Sequence, residues 1–370
     1  MRHLYILLFL YFLSSCQEKP KADELLLKQI QGNWSSNTAI FNSITYLFEN
    51  DSVYYSEGFY DGYYKTNRDR NFKTFIPTKF KGNAVKFGLK DSIIHYFDST
   101  NIPKPSFKIL SVNKDEMVIK YQDDYLIDTL SRYNNKIINQ LDFDQIIYTS
   151  SGCYGTCPII NVSINKDGSM IYAAEEFIGI KGVFKGKMTK KFHTFFLQKV
   201  NEANLLSLKN NYEEHATDCN EDILLIIKNN KIIKSIRSYC HPVSLQFNSL
   251  ANVISKSGLI MENRIKYHET EYLPVLFILE NKENTLDKAR TFLWWTELMK
   301  HPTNKVETKN KPISYTNKGY YYYFGNQFEE INPCNLNSVK GNGQEFELIF
   351  ENNKPKYYDL GYNFFKRYLN

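Results

Sequence analysis

Residues 150–158 read SGCYGTCPI, two cysteines four positions apart with Gly155 between them and Pro158 directly behind. Three chemistries fit such a pair. A redox dithiol needs a stabilised thiolate, commonly at a helix N-terminus. A soft metal needs thiolates together with further ligands. A disulfide needs only a loop that brings the two Cα atoms close. Gly155 permits a tight bend, and Pro158 stops the bend from winding into a helix and launches a strand at Ile159. The helix terminus that a redox centre wants is therefore missing. Zinc could draw on Cys153, Cys157, Cys219 and Cys240, but structural zinc sites show tighter spacings in both halves. We expect no metal and no cofactor. The alternative is copper on Cys153 and Cys157, or thiol-redox chemistry there, with His193, His215 or His241 as a third copper ligand and none of them singled out.

The other cysteines are Cys16, Cys219, Cys240 and Cys334. The stretch CNEDILLIIKNNKIIKSIRSYC (219–240) reads as a hairpin with a two-residue turn at Asn229-Asn230. That register pairs Ile227 with Ile232, Ile223 with Ile236 and Asp222 with Arg237, and sets Cys219 opposite Cys240. A disulfide is expected there, contributing about 3 kcal/mol by chain entropy. Cys153 and Cys157 are the second expected pair, and Cys334 is left over as a buried apolar residue.

The N-terminus, MRHLYILLFLYFLSSC, has a basic start and an apolar run of about ten residues, half of what spans hydrocarbon. It reads as an export signal. Leu13-Ser14-Ser15-Cys16 resembles the lipobox of bacterial lipoproteins. The resemblance implies removal of residues 1–15 and lipidation of Cys16, a firm anchor when two or more acyl chains are attached. Gln17 follows instead of an Asp, which favours the outer membrane. Residues 16–24 read as a polar tether. Export also favours disulfides.

The elements that must position the cysteines are mostly strands. Aromatic residues make up 15% of the chain, with 28 Tyr and 26 Phe, a composition suited to pleated surfaces. The net charge of +6 is spread without a Lys/Arg block, so no nucleic-acid partner is expected. The expected fold is mainly β / α+β: an N-terminal antiparallel barrel followed by two small α+β domains with β-hairpins. Short strand-like runs fill 44–50, 52–58, 84–89, 92–97, 107–112, 117–122 and 125–132. Gly32-Asn33-Trp34 at their start and Leu130-Ser131-Arg132 at their end resemble the two ends of lipocalin-like domains. That resemblance, over 25–133, implies a barrel with Trp34 plugging the base and Arg132 packed across it, and an apolar ligand as one reading of its interior.

The second domain is placed at 143–258. Asp167-Gly168 reads as a two-residue turn that sets Ile164 against Ile171 and Val162 against Ala173. A helix is expected within 189–208, with Phe192, Phe195, Phe196, Val200 and Leu205 inward. The third domain is placed at 266–370, with a helix from Asn284 or Thr285 to Lys300 that buries Trp294 and Trp295.

The C-x-x-x-C-P box resembles that of the Sco-type copper chaperones. It departs from them at Tyr154, where they have proline, and in the hairpin that follows. A fuller resemblance covers 143–258. Ser151 to Pro158, Asp167-Gly168, Thr217-Asp218 and Pro242 are similar in order to domain of unknown function 6438, which implies no activity or ligand. Ser-His-Asp arrangements, P-loops, dinucleotide fingerprints and H-E-x-x-H are absent from the sequence. Asp123-Asp124 and Glu175-Glu176 would point to opposite strand faces. The expected role is that of a non-catalytic, lipid-anchored envelope protein in binding or assembly, its partners the membrane and an envelope protein or apolar ligand.

Overall fold

The computed structural model describes residues 22–36, 45–67, 72–97, 103–122, 126–133, 140–153, 157–217, 219–266, 277–281, 284–304, 306, 311–312, 314–317, 320–324, 327–331, 336–350 and 354–369. The signal (1–15), Cys16, Asp123-Asp124 and Cys334 lie outside them.

The protein is mainly β with α+β character. Helix α1 (Ala22–Ile30) leads into a closed antiparallel barrel of β1 (Gly32–Ser36), β2 (Thr45–Glu49), β3 (Ser52–Asn67), β4 (Phe72–Lys90), β5 (Ile93–Phe97), β6 (Pro103–Val112), β7 (Glu116–Tyr121) and β8 (Ile127–Arg132). Pairing of β1 with β8 closes it, with Trp34 opposite Arg132. Closure leaves no free strand edge. Alternate residues point inward, so Tyr46, Phe48, Phe107, Met117, Ile119 and Leu130 are buried. Helix α1 begins inside the expected tether, because Asp23 and Glu24 in its first turn and Lys28 in its last suit the helix dipole.

The chain forms two compact units. The first comprises Met1–Thr38, Ile44–Ser56 and Ala84–Asn134; the second comprises Ala39–Ser43, Glu57–Asn83 and Asn135–Asn370. Strands β3 and β4 run well beyond the expected 52–58 and 84–89. Their outer half belongs to the second unit, where the Phe80 ring lies 5.0 Å from the rings of both Phe192 and Phe195. Glu57 there accepts from Asn252 at 2.8 Å and pairs with Lys256 at 2.5 Å.

At the centre of the second unit is an eight-stranded sheet ordered β13-β15-β14-β9-β10-β11-β12-β16. Its strands are β9 (Gln145–Ser150), β10 (Ile159–Asn165), β11 (Ser169–Glu176), β12 (Gly182–Lys187), β13 (Asn211–Glu213), β14 (Glu221–Lys228), β15 (Lys231–Tyr239) and β16 (Glu262–Lys266). Among the described strands of this sheet, β13 and β15 pair in parallel and the other neighbours pair antiparallel. Helices α2 (Lys190–Glu202) and α3 (Leu245–Ser257) cover one face, each started by a side-chain cap, Thr189 and Ser244. With Tyr148, Val162, Tyr172, Leu224 and Phe80 they form one core.

The opposite face carries Ile147, Ala173, Val183, Ile223, Leu225 and Ile227. It packs against α4 (Lys288–Leu298), α5 (Phe364–Tyr368) and a small sheet containing β17 (Leu336–Gly341), β18 (Glu345–Phe350) and β19 (Lys356–Asp359). Segments 143–258 and 266–370, read separately from sequence, thus share a core. Trp294 and Trp295 are buried in it. Asp287 caps α4 by accepting from Arg290 N at 2.8 Å, so the helix starts later than Asn284 or Thr285.

Two hairpin registers differ from expectation. The β10–β11 loop spans Lys166, Asp167 and Gly168, with Gly168 at φ +82°. Ile164 therefore meets Met170 and Val162 meets Tyr172, while Ile171 and Ala173 turn to the other face. In β14–β15 the Asn229-Asn230 turn and the Ile227–Ile232 pair stand. A bulge then shifts the pairing so that Ile223 meets Arg237 and Asp222 meets Ser238. The extra residue is Ile233, which is 41% exposed.

Candidate functional site

The end of β9, the start of β10, the start of β14 and the end of β15 lie at one end of the sheet. The four cysteines of the second unit that are among the described residues, Cys153, Cys157, Cys219 and Cys240, are there. Cys153 and Cys157 are joined by a disulfide, with Cα atoms 5.5 Å apart. Cys219 and Cys240 form a second, with Cα atoms 5.1 Å apart. Cys240 takes a left-handed backbone, φ +56°, which turns the chain out of β15 and keeps the sulfurs in reach despite the shifted register. Ser151 ties the box to β14: its N–H donates to Glu221 O at 2.9 Å, and its Oγ accepts from Glu221 N at 2.7 Å.

Charged groups ring this end. Glu221 accepts from Arg237 Nε at 2.7 Å and pairs with Lys288 Nζ at 3.3 Å. Arg237 also reaches Glu213 at 3.2 Å. Hydrogen bonds from Asn211 and Arg237 hold the Glu213 carboxyl below the usual carboxylate range. Beneath them Tyr148 Oη donates to Asp222 Oδ1 at 2.9 Å, and Asn220 Nδ2 donates to Oδ2 at 3.0 Å. Loss of solvent around Asp222 pushes its pKa up in spite of these bonds. Burial first, then the adjacent carboxylate, push Tyr148 well above the usual phenol value. The Ser150 side chain hydrogen-bonds to both members of the pair.

The histidines divide. His193, on α2, packs its ring under Gly168 at the opposite end of the sheet. His241 follows Cys240 and its Nδ1 lies 2.7 Å from Pro242 O, while His215 is exposed. Each of the four sulfurs is bonded to sulfur and presents no thiolate to zinc or copper. Among the described residues no group of three or more His, Cys, Asp and Glu is arranged to hold a metal ion.

In the barrel, the Arg132 guanidinium lies 4.2 Å from the centroid of the Trp34 ring. Arg132 donates to the carbonyls of Lys114, Gln31 and Gln29 at 2.6, 2.6 and 2.7 Å, and Trp34 Nε1 donates to Ile30 O at 2.6 Å. The pair thus locks α1 and the β6–β7 turn to the barrel base.

Residues 144–257 match the model of a domain of unknown function, DUF6438. The matched segment holds β9 to β15, α2, α3 and both disulfides. No curated protein and no solved structure matches the chain. Sequence reasoning named Ser151 only as part of the box and missed its tie to Glu221, the Tyr148–Asp222 pair and the Glu221–Arg237 pair. The last was hidden by the β15 bulge, since the unshifted register assigns Arg237 to Asp222.

Proposed function

We propose that the protein is a non-catalytic envelope protein, exported and held to the outer membrane by lipid on Cys16, that serves in binding or assembly. The observation that carries this reading is the joining of Cys153 to Cys157 and Cys219 to Cys240 at one end of the sheet. Structural disulfides belong to oxidising compartments, which agrees with the Leu13-Ser14-Ser15-Cys16 motif. The clips fix loop shape around a rigid sheet, an arrangement suited to presenting a surface.

The first unit is read as lipocalin-like, on the Trp34–Arg132 contact at the base of a closed eight-stranded barrel. Its interior carries its own rings. Tyr46 stacks on Tyr55 at 5.3 Å and meets Phe107 at 5.5 Å, while Phe48 meets Phe87 edge-on at 5.2 Å. Interior rings of this kind occupy space that a ligand would need, which favours a structural role for the barrel over carriage of an apolar molecule.

Metabolic labelling with radioactive palmitate tests the anchor. Label should enter the full-length product and be lost in Cys16→Ser; an unlabelled, cytosolic product ends this reading. Alkylation of the purified protein before and after reduction tests the clips. Two freely titrating thiols at Cys153 and Cys157 that take up Cu(I) would replace them with copper or redox chemistry.

A further inference from the structure

The β14–β15 turn and the following residues of β15 line an open cleft of about 760 Å³ together with α4 and the C-terminal helix α5. Among the described residues five basic ones line it, Lys231, Lys234, Arg290, Lys366 and Arg367, and no acidic one does. Asp287 pairs with Arg290, and Asp144 accepts from the Asn229 N–H at 2.6 Å behind the turn. Lys234 donates to the Leu208 carbonyl, and Arg367 stacks over the Tyr362 ring. The side chains of Lys231 and Lys366 are exposed and have no hydrogen-bond or ion-pair partner among the described residues. Like charges gathered in a concave wall repel one another and focus a positive field into the cleft.

We infer that this cleft binds a phosphorylated saccharide. Lysine acts as a point charge toward phosphate and arginine as a planar fork. Asn210, Asn229 and Asn230 offer amides on the same wall, suited to sugar hydroxyls. The volume lies within the roughly 300–1,000 Å³ of small-molecule sites. The open mouth admits either a free sugar phosphate or the phosphorylated headgroup of a glycolipid. The site lies on the C-terminal side of the sheet, away from the disulfide end, and is independent of lipid at Cys16.

The test titrates the full chain with glucose 1,6-bisphosphate by calorimetry and compares its sedimentation with phosphatidylcholine vesicles that contain lipid A and with ones that lack it, so that any contribution of the anchor at Cys16 cancels. Saturable binding that weakens with salt is expected, reduced about tenfold in Lys231→Gln/Lys366→Gln. The exposed pair Lys185→Gln/Lys190→Gln should bind like the parent. Binding of vesicles alone assigns the headgroup; binding of the bisphosphate assigns free sugar phosphates. Ile233→Glu, which places a carboxylate at the cleft wall without touching a lysine, should also abolish binding while the melting temperature holds. No binding of either probe, or equal losses in the cleft and control pairs, overturns the inference.

Discussion

Tyr148 and Asp222 sit on neighbouring strands, and the phenol donates to the carboxyl oxygen across 2.9 Å on the face covered by α2 and α3. Because burial raises the Asp222 pKa, the folded protein holds this proton more tightly than the unfolded chain. Stability should therefore rise as pH falls through the folded pKa toward the ordinary value of 3.8. Asp222→Asn keeps an acceptor for Tyr148 and removes the ionised form. It should melt higher than the parent at neutral pH and lack that pH dependence. Melting curves across acidic to neutral pH decide it: an unchanged profile in Asp222→Asn would refute the assignment.

Cys219→Ser/Cys240→Ser opens a loop with a sequence separation of 21. The loss should be about 3 kcal/mol in denaturant unfolding. Cys153→Ser/Cys157→Ser opens a much shorter loop, separation 4, and should lose less. Equal losses would show that the short clip does more than shape its loop.

Arg132 donates to three main-chain carbonyls from one planar group. Arg132→Lys keeps the charge but not the fork, so it should lose about 2 kcal/mol, close to Arg132→Ala. Fluorescence of Trp34, whose ring lies under the guanidinium, should report the change. Full stability in Arg132→Lys would show that charge alone suffices.

Gly168 combines φ +82° with a position where an added Cβ would meet the His193 ring at 3.1 Å. Gly168→Ala should lose about 1 kcal/mol or more. A parental melting temperature in Gly168→Ala would mean that the β10–β11 loop relaxes freely.

Much of this was legible in the residues themselves. Alternation along 44–50 and 117–122 marks strands of a barrel, and the Asn229-Asn230 turn points to a hairpin that brings Cys219 to Cys240. The bulge at Ile233 was not, since an extra residue in a strand of Lys and Ile leaves no mark of its own. The outer half of the β3–β4 hairpin was missed because its anchor, Phe80, finds Phe192 and Phe195 more than a hundred residues later. The shared core had a readable sign. Ile223 to Ile227 are apolar without alternation, and a strand of that kind is covered on both faces.

That double covering bears on every relative of the segment 144–257. Its bounds stop before α4 and α5, which shield Ile147, Ala173, Val183, Ile223, Leu225 and Ile227. A protein ending there would leave an oily wall bare to water. Chains that share this segment but not the C-terminal portion must borrow a roof, from other flanking sequence or from a sister molecule.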